Sequence, residues 1–262
     1  MRKTLKIITI ILTLCLAVSM FTGCSSSLKQ EEQRVPKCSP KQELSQYTWE
    51  EIKDIAACGL PTQTLRDEWH IKTGMKKDGF MLVDDDGNGY LDKGFIFMGP
   101  INQHKAGKMN QMAHNQGGFL GSNMKTILAT YYTESMLDTA IGNATEFVNV
   151  SCMSVDGSNI ETYQTRLFIP SIYEVGACNS EEPTVSGWIK EGQPFDYFES
   201  NAKLNRINIS KICLGGTDWW LRTPSDAGFG CINSEGNLFS SSASNSESVI
   251  IAFVVGEPNV KK

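Results

Sequence analysis

Three stretches of the chain carry residue types that could do chemistry. The densest is Trp219-Trp220-Leu221-Arg222-Thr223-Pro224. Two adjacent tryptophans bring large apolar surfaces, each with one N–H to satisfy if buried. Arg222 adds a planar fork of donors suited to carboxylate, phosphate or another anionic group. On a strand, Trp219, Leu221 and Thr223 would face one way and Trp220 and Arg222 the other. Two readings follow, a core nucleus for the C-terminal half or one edge of a recognition face. The second reading groups Trp220 and Arg222 with Asp226, Asn233, Ser244 and Asn245 as candidate ligand contacts.

The second stretch is acidic. Asp84, Asp86, Asn88, Gly89, Tyr90 and Asp92 stand at the first, third, fifth, sixth, seventh and ninth places of an EF-hand-type calcium loop. Calcium is the one cofactor the sequence suggests, with Asp84, Asp86, Asn88, Tyr90 and Asp92 as candidate ligands. The twelfth place, where a bidentate carboxylate belongs, is Phe95, and strand-like runs flank the loop instead of helices. A Gly-Asn-Gly hairpin explains the same residues without a metal.

The third is Cys24. Arg2, Lys3 and Lys6 precede an apolar run over 7–21 that is short for a membrane span. It closes on Phe21-Thr22-Gly23-Cys24, then three serines. This resembles the lipobox of bacterial lipoproteins, with Phe21 in place of the commoner Leu. The resemblance implies cleavage before Cys24, lipidation of its thiol and anchoring at the extracytoplasmic face of the cell membrane. Two or three acyl chains hold a protein stably, at roughly 0.8 kcal/mol per buried CH₂. The expected organisation is a signal peptide over 1–23, a flexible polar tether over 24–43 and a single α+β domain over 44–262.

Composition narrows the function classes. The chain has 262 residues, 40% hydrophobic and 20% charged, and a formal net charge of −5. Loss of Arg2, Lys3 and Lys6 with the leader leaves 21 basic against 29 acidic residues, a mature charge of −8. An acidic chain is a poor match for nucleic acid, whose phosphates need a basic face. The six remaining mature cysteines (Cys38, Cys58, Cys152, Cys178, Cys213 and Cys231) permit disulfides outside the cytoplasm, with the pairing left open. No nucleophile elbow, triad spacing or metal motif stands out, so the chain reads as a binding module or a structural envelope protein before an enzyme.

The elements that must position these residues follow from periodicity. Thr48 and Glu51 fit a capping box ahead of a stripe of Trp49, Ile52, Ile55 and Ala56, stopped by Gly59 and Pro61. Strand-like runs are expected at 69–72, 79–83 and 94–98, a helix at 123–140 capped by Ser122, and further strands at 147–150 and 166–170. The apolar run 249–255 reads as a buried central strand. The C-terminal third as a whole is expected to form a small antiparallel sheet.

The Trp219–Pro224 hexapeptide resembles the WWLRSP-like signature of the bacterial domain of unknown function 6273. The order of pieces around it is similar too: a Trp-x-x-Ile helix at Trp49, a strand at Leu167-Phe168-Ile169-Pro170-Ser171, the double tryptophan, an Asn/Ser-x-Gly turn and a last apolar strand. The likeness covers most of residues 47–256. It implies a C-type-lectin-like fold, with a small antiparallel sheet flanked by two or more helices and a long irregular segment presenting a binding face. It implies a glycan or protein ligand and no established activity. The Glu257-Pro258-Asn259 triplet lies past the last strand, away from where such folds select sugars. Cys213 and Cys231 lack the close spacing of the copper site in formylglycine-generating relatives.

Overall fold

The computed structural model describes residues 34–101, 106–177, 191–226 and 228–257. Cys24, Cys178 and the Pro258-Asn259 pair lie outside the described residues. The chain divides after Arg34, and everything below concerns the unit that begins at Val35.

Helix α1, Trp49–Cys58, forms for the reasons its sequence gives. Thr48 Oγ1 accepts from Glu51 N at 3.1 Å, and Thr48 N donates back to Glu51 Oε2 at 2.7 Å. Gly59 ends the helix at φ +59°, where a side chain would be strained. Its apolar face puts Trp49 edge-on to Phe97 (centroids 5.0 Å apart) and beside Phe253, with the indole N–H donated to Asp78. Residues 35–43, read from sequence as tether, are held against this helix instead. Lys37 N donates to Asp54 Oδ2 at 2.6 Å, Lys41 Nζ donates to Glu51 Oε2 at 2.6 Å, and Cys38 packs on the core.

A short helix α2 (Thr62–Asp67) leads to strands β1 (Lys76–Lys77), β2 (Phe80–Asp84) and β3 (Gly94–Pro100). The expected strand at 69–72 is irregular chain in which Trp69 and Ile71 are buried. After β4 (Ala106–Gly107) comes α3 (Asn123–Tyr131), a π-helical turn (Tyr132–Met136), α4 (Ala140–Ala144) and the hairpin β5 (Val148–Met153) with β6 (Ile160–Thr165). The expected single helix over 123–140 is thus broken, because Thr139 caps a new helix by accepting from Gly142 N. Next are α5 (Asp196–Glu199), α6 (Ala202–Leu214), β7 (Trp219–Ser225), β8 (Gly228–Ile232), β9 (Leu238–Ser241), β10 (Glu247–Ser248) and β11 (Ile250–Gly256).

The class is α+β. A four-stranded antiparallel sheet has the order β1-β2-β3-β11, and a five-stranded sheet has the order β4-β10-β7-β8-β9, with β10 parallel to β7. The C-terminal third is therefore shared between two sheets, not one: β7–β9 build the second, while β11 runs along all of β3 in the first. Strand β11 is wholly buried, because its far side is covered by Phe168 and Glu146. Phe168 exchanges two backbone hydrogen bonds with Ala252, and Glu146 N donates to Val254 O. The stretch 166–170 makes this single bridge, not a full strand. Among the described residues no two of the five cysteines are joined in a disulfide.

Candidate functional site

Strand β7 carries the double tryptophan into the interior. Both indoles are fully buried, and each N–H finds an acceptor: Trp219 Nε1 donates to Ser210 Oγ on α6 at 2.9 Å, and Trp220 Nε1 to Gly107 O on β4 at 2.7 Å. The two residues face opposite ways, as alternation requires, and so tie β7 to a helix on one side and, on the other, to β4, the strand beyond β10.

Arg222 is the centre of a buried polar lock. Its guanidinium meets the Glu174 carboxylate in a two-pronged pair, Nη1 to Oε2 at 2.6 Å and Nη2 to Oε1 at 2.8 Å, both side chains being wholly inaccessible. The remaining donors reach backbone oxygens: Nε to Ser151 at 2.9 Å, Nη1 to Ile169 at 2.9 Å and Nη2 to Glu191 at 2.7 Å. Glu174 also accepts from the Tyr90 hydroxyl and from Ser171 N. Glu191 accepts from Met153 N at 2.6 Å and from the Thr223 hydroxyl.

Burial alone would depress Arg222, but Glu174, Tyr90 and Glu191 more than offset it, and the guanidinium is held above its ordinary range. Burial pushes the Glu191 carboxyl up, only partly countered by Arg222 and Thr223, and raises the Tyr90 phenol. Such a lock fixes geometry more than it adds stability, since desolvation offsets most of the attraction; removing one partner alone costs about 3–5 kcal/mol. It joins β7, the β5 strand, the 169–174 turn and Glu191 at a single point.

The recognition face expected from sequence is not assembled. Trp220 and Arg222 are fully buried, with their polar atoms engaged inside the protein, so no ligand reaches them in this fold. Asp226 is exposed in the β7–β8 turn, whereas Asn233 sits at the opposite end of β8. Asn233 closes the next turn by accepting from Glu235 N and Asn237 N. Ser244 and Asn245 lie in the β9–β10 turn, where Asn245 N donates to Ser242 O and Asn245 Nδ2 to Ser241 Oγ. Asp226 and the Ser244–Asn245 turn lie at one end of the β8–β9 pair, where Gly228 adjoins Ser241 and Ala243, and Asn233 lies at the other end.

The acidic loop closes on itself. Asp84 is buried, and its carboxylate accepts from Gly87 N at 3.0 Å, Asp86 N at 3.3 Å and Asp196 N at 3.2 Å. Asp86 Oδ1 accepts from Asn88 N at 2.8 Å, Asn88 Nδ2 donates to Gln193 O, and the Tyr90 phenol turns inward to Glu174. Phe95, at the twelfth place, is core. Among the described residues no group of three or more His, Cys, Asp or Glu side chains is arranged to hold a metal ion, so Asp84, Asp86 and Asp92 do not gather around a common centre. Burial, then the charges of Asp196 and Asp86, push the Asp84 carboxyl up to about 8.

What the sequence did not signal is an open groove of about 870 Å³ beside α3. Ser122 caps this helix, and Asn123 N donates to Asn110 Oδ1, which fixes its start. Met124 and Leu128 are buried, leaving Thr126, Ile127 and Thr130 on the outer face. These three, with Glu134 and Ser135 of the π-helical turn, form one wall. Ala106 and Gly107 of β4 and Gln111 form the other, and Ile101, Met124 and Val249 lie between them. Gln111, Thr126, Thr130, Glu134 and Ser135 make no side-chain hydrogen bond to any described residue. The only sequence signal was a run of small and polar residues from 102 to 121, rich in Gly, Asn and Gln, with no motif in it. The π-helical turn is a second pointer, because such turns recur at functional sites.

The architecture and the buried arginine–carboxylate lock define an α+β domain organised by its double-tryptophan strand. The chain belongs to the family described as "Domain of unknown function (DUF6273)", whose model matches residues 78–255, from the turn before β2 to the end of β11. No curated protein and no solved structure matches the chain.

Proposed function

We propose that the protein is a lipid-anchored, extracytoplasmic binding module that presents the groove beside α3 as its recognition surface. The observation that carries the reading is the groove itself: an open cavity of about 870 Å³ with an apolar floor and several polar side chains that have no partner within the described protein. Concave sites of this kind, mostly apolar with a few placed polar groups, are where ligands bind. The leader and Cys24 support anchoring by acylation. The C-type-lectin-like reading is supported by the pairing of the last strand with β3 along its whole length, which leaves a long intervening segment to carry the groove.

Two measurements test this reading. Mass spectrometry of the N-terminal peptide is expected to find acylated Cys24, and Cys24→Ser should release the protein from membranes; an unmodified, membrane-free wild type would refute the anchor. Thermal melts of the mature chain carrying Cys24→Ser, against simple and complex glycans, peptidoglycan fragments, peptides and calcium, test binding. A ligand at about 100 times its Kd adds roughly 2.7 kcal/mol, a visible shift. A flat panel would count against a small-ligand role.

A further inference from the structure

We infer that the outer edge of the β5–β6 hairpin is an interface between two copies of this chain, joined antiparallel through β6 about a two-fold axis at Thr162. This interface needs neither the groove nor the anchor.

A bare row of N–H and C=O groups at a sheet edge templates another strand, and proteins guard against this with short strands, charges, prolines or bulges. Among the described residues, β1 and β4 are two residues long and β9 four. Strand β5 has its outer edge occupied, since Met153 N donates to Glu191 and Ser151 O accepts from Arg222. Strand β6 is different. Its six residues, Ile160-Glu161-Thr162-Tyr163-Gln164-Thr165, pair with β5 without a bulge, include no proline and form one side of a two-stranded sheet. The ladder continues from the bond that Ser154 N donates to Asn159 O at 2.9 Å. Cys152, Val150 and Val148 therefore exchange bonds with Glu161, Tyr163 and Thr165, and the backbone groups of Ile160, Thr162 and Gln164 turn away from β5. No described residue bonds to them. The open row is roughly 20 Å long.

This edge is complementary to itself. With the axis at Thr162, that residue faces its own copy and Ile160 faces Gln164 of the second chain, so every outward N–H and C=O finds a partner. The result is a four-stranded sheet of β5 and β6 from each copy. Opposed threonines are a favourable cross-strand pair. Glu161, exposed, then stands opposite Tyr163 of the second copy. That ring has Lys125 Nζ 5.4 Å from its centroid, and Lys125 makes no ion pair with any described residue. Each Glu161 is thus brought to a lysine across the interface, and symmetry makes the match twice. Moving the axis one residue, to Glu161, would set two carboxylates face to face. An unrelated peptide would gain the backbone bonds without this reciprocal charge match, so the occupant is a second copy. One short edge buries a modest area, which makes the dimer a transient one in the micromolar range.

The test is sedimentation velocity on the mature chain carrying Cys24→Ser, under reducing conditions, from about 1 to 300 µM. A shift from monomer to dimer with concentration is expected. Thr162 is exposed, so Thr162→Lys and Thr162→Glu should each keep the wild-type melting temperature while placing like charges on the axis. Each alone should associate about tenfold more weakly or worse, and an equimolar mixture of the two should recover the dimer. Glu161→Lys should weaken association likewise, and adding Lys125→Glu in the same chain should restore it. A wild type that stays monomeric over the whole range would overturn the inference. So would a dimer that neither Thr162 variant weakens, since its interface would lie elsewhere. Weakening by both Thr162 variants with no recovery in the mixture would overturn the axis at Thr162, and failure of Lys125→Glu to restore Glu161→Lys would overturn the charge match.

Discussion

The strand β7 motif and the groove beside α3 are built from similar polar chemistry put to opposite use. Around Arg222, every donor of the guanidinium has an acceptor within 2.9 Å, and both Arg222 and Glu174 are sealed from water. Along α3 and the π-helical turn after it, Thr126, Thr130 and Glu134 stand in the open with no described partner. A buried polar group that is fully satisfied specifies one packing and is expensive to disturb. An unengaged polar group at a cavity rim has its hydrogen-bonding capacity free for something else. The richest chemistry in this sequence therefore holds the fold, and the groove is made of ordinary residues whose placement is what matters.

Mutations that confuse the two regions would break the comparison. The largest effect is expected for Trp220→Ala, which leaves a cavity and frees Gly107 O: about 3–5 kcal/mol lost in urea unfolding. Undiminished stability would place the indole outside the core.

The acidic loop offers a pH test of intermediate size. The folded Asp84 carboxyl is raised to about 8 from 3.8, so the native state holds its proton where the unfolded chain has lost it. That contribution to stability is complete below about pH 4 and disappears as pH rises through about 8. Asp85 and Asp196, also raised chiefly by burial, act with the same sign. The melting temperature of wild type should therefore decline with pH across this window more steeply than that of Asp84→Asn. Parallel curves would show that Asp84 is not buried as described. Calcium that raised the melting temperature of wild type but not of Asp84→Asn would restore the loop as a cation site.

A smaller effect belongs to Thr48→Ala, which removes half of the α1 capping box and should cost about 1 kcal/mol in the same unfolding assay. The smallest is Thr130→Trp, on an exposed face, expected within about 0.5 kcal/mol of wild type. A large loss there would mean that the groove wall is part of the core after all.

Where local rules and packing agreed, the sequence was a good guide. The α1 cap, its Trp49–Ala56 stripe and its stop at Gly59 all follow from side-chain chemistry within ten residues. So does the burial of the 250–255 strand, because an unbroken apolar run has no polar face to present to water. Helix α6 was missed: its apolar moment is weak, and Arg206 sits on its buried face, donating to the carbonyls of Gly236, Val175 and Gly176. The long helix expected over 123–140 failed because Thr139 competes as a cap, a local preference that periodicity does not weigh. The burial of Arg222, read from sequence as a candidate ligand contact, escaped the sequence for a related reason. Residue type shows that Arg222 needs a partner, but not that Glu174, forty-eight positions earlier, supplies it inside the core. The groove had no motif because its polar row is ordinary helix surface, made one wall of a cavity only by β4 folding opposite.

The most direct test of this account is a double-mutant cycle at Arg222 and Glu174, read by urea unfolding. Arg222→Met and Glu174→Met should each cost about 3–5 kcal/mol, and the double variant much less than their sum, since removing both charges leaves neither buried alone. A coupling of about 2 kcal/mol or more is the predicted result. If Arg222→Met unfolded at the same urea concentration as wild type, the lock would not hold the fold, and Arg222 would return as a candidate for recognition.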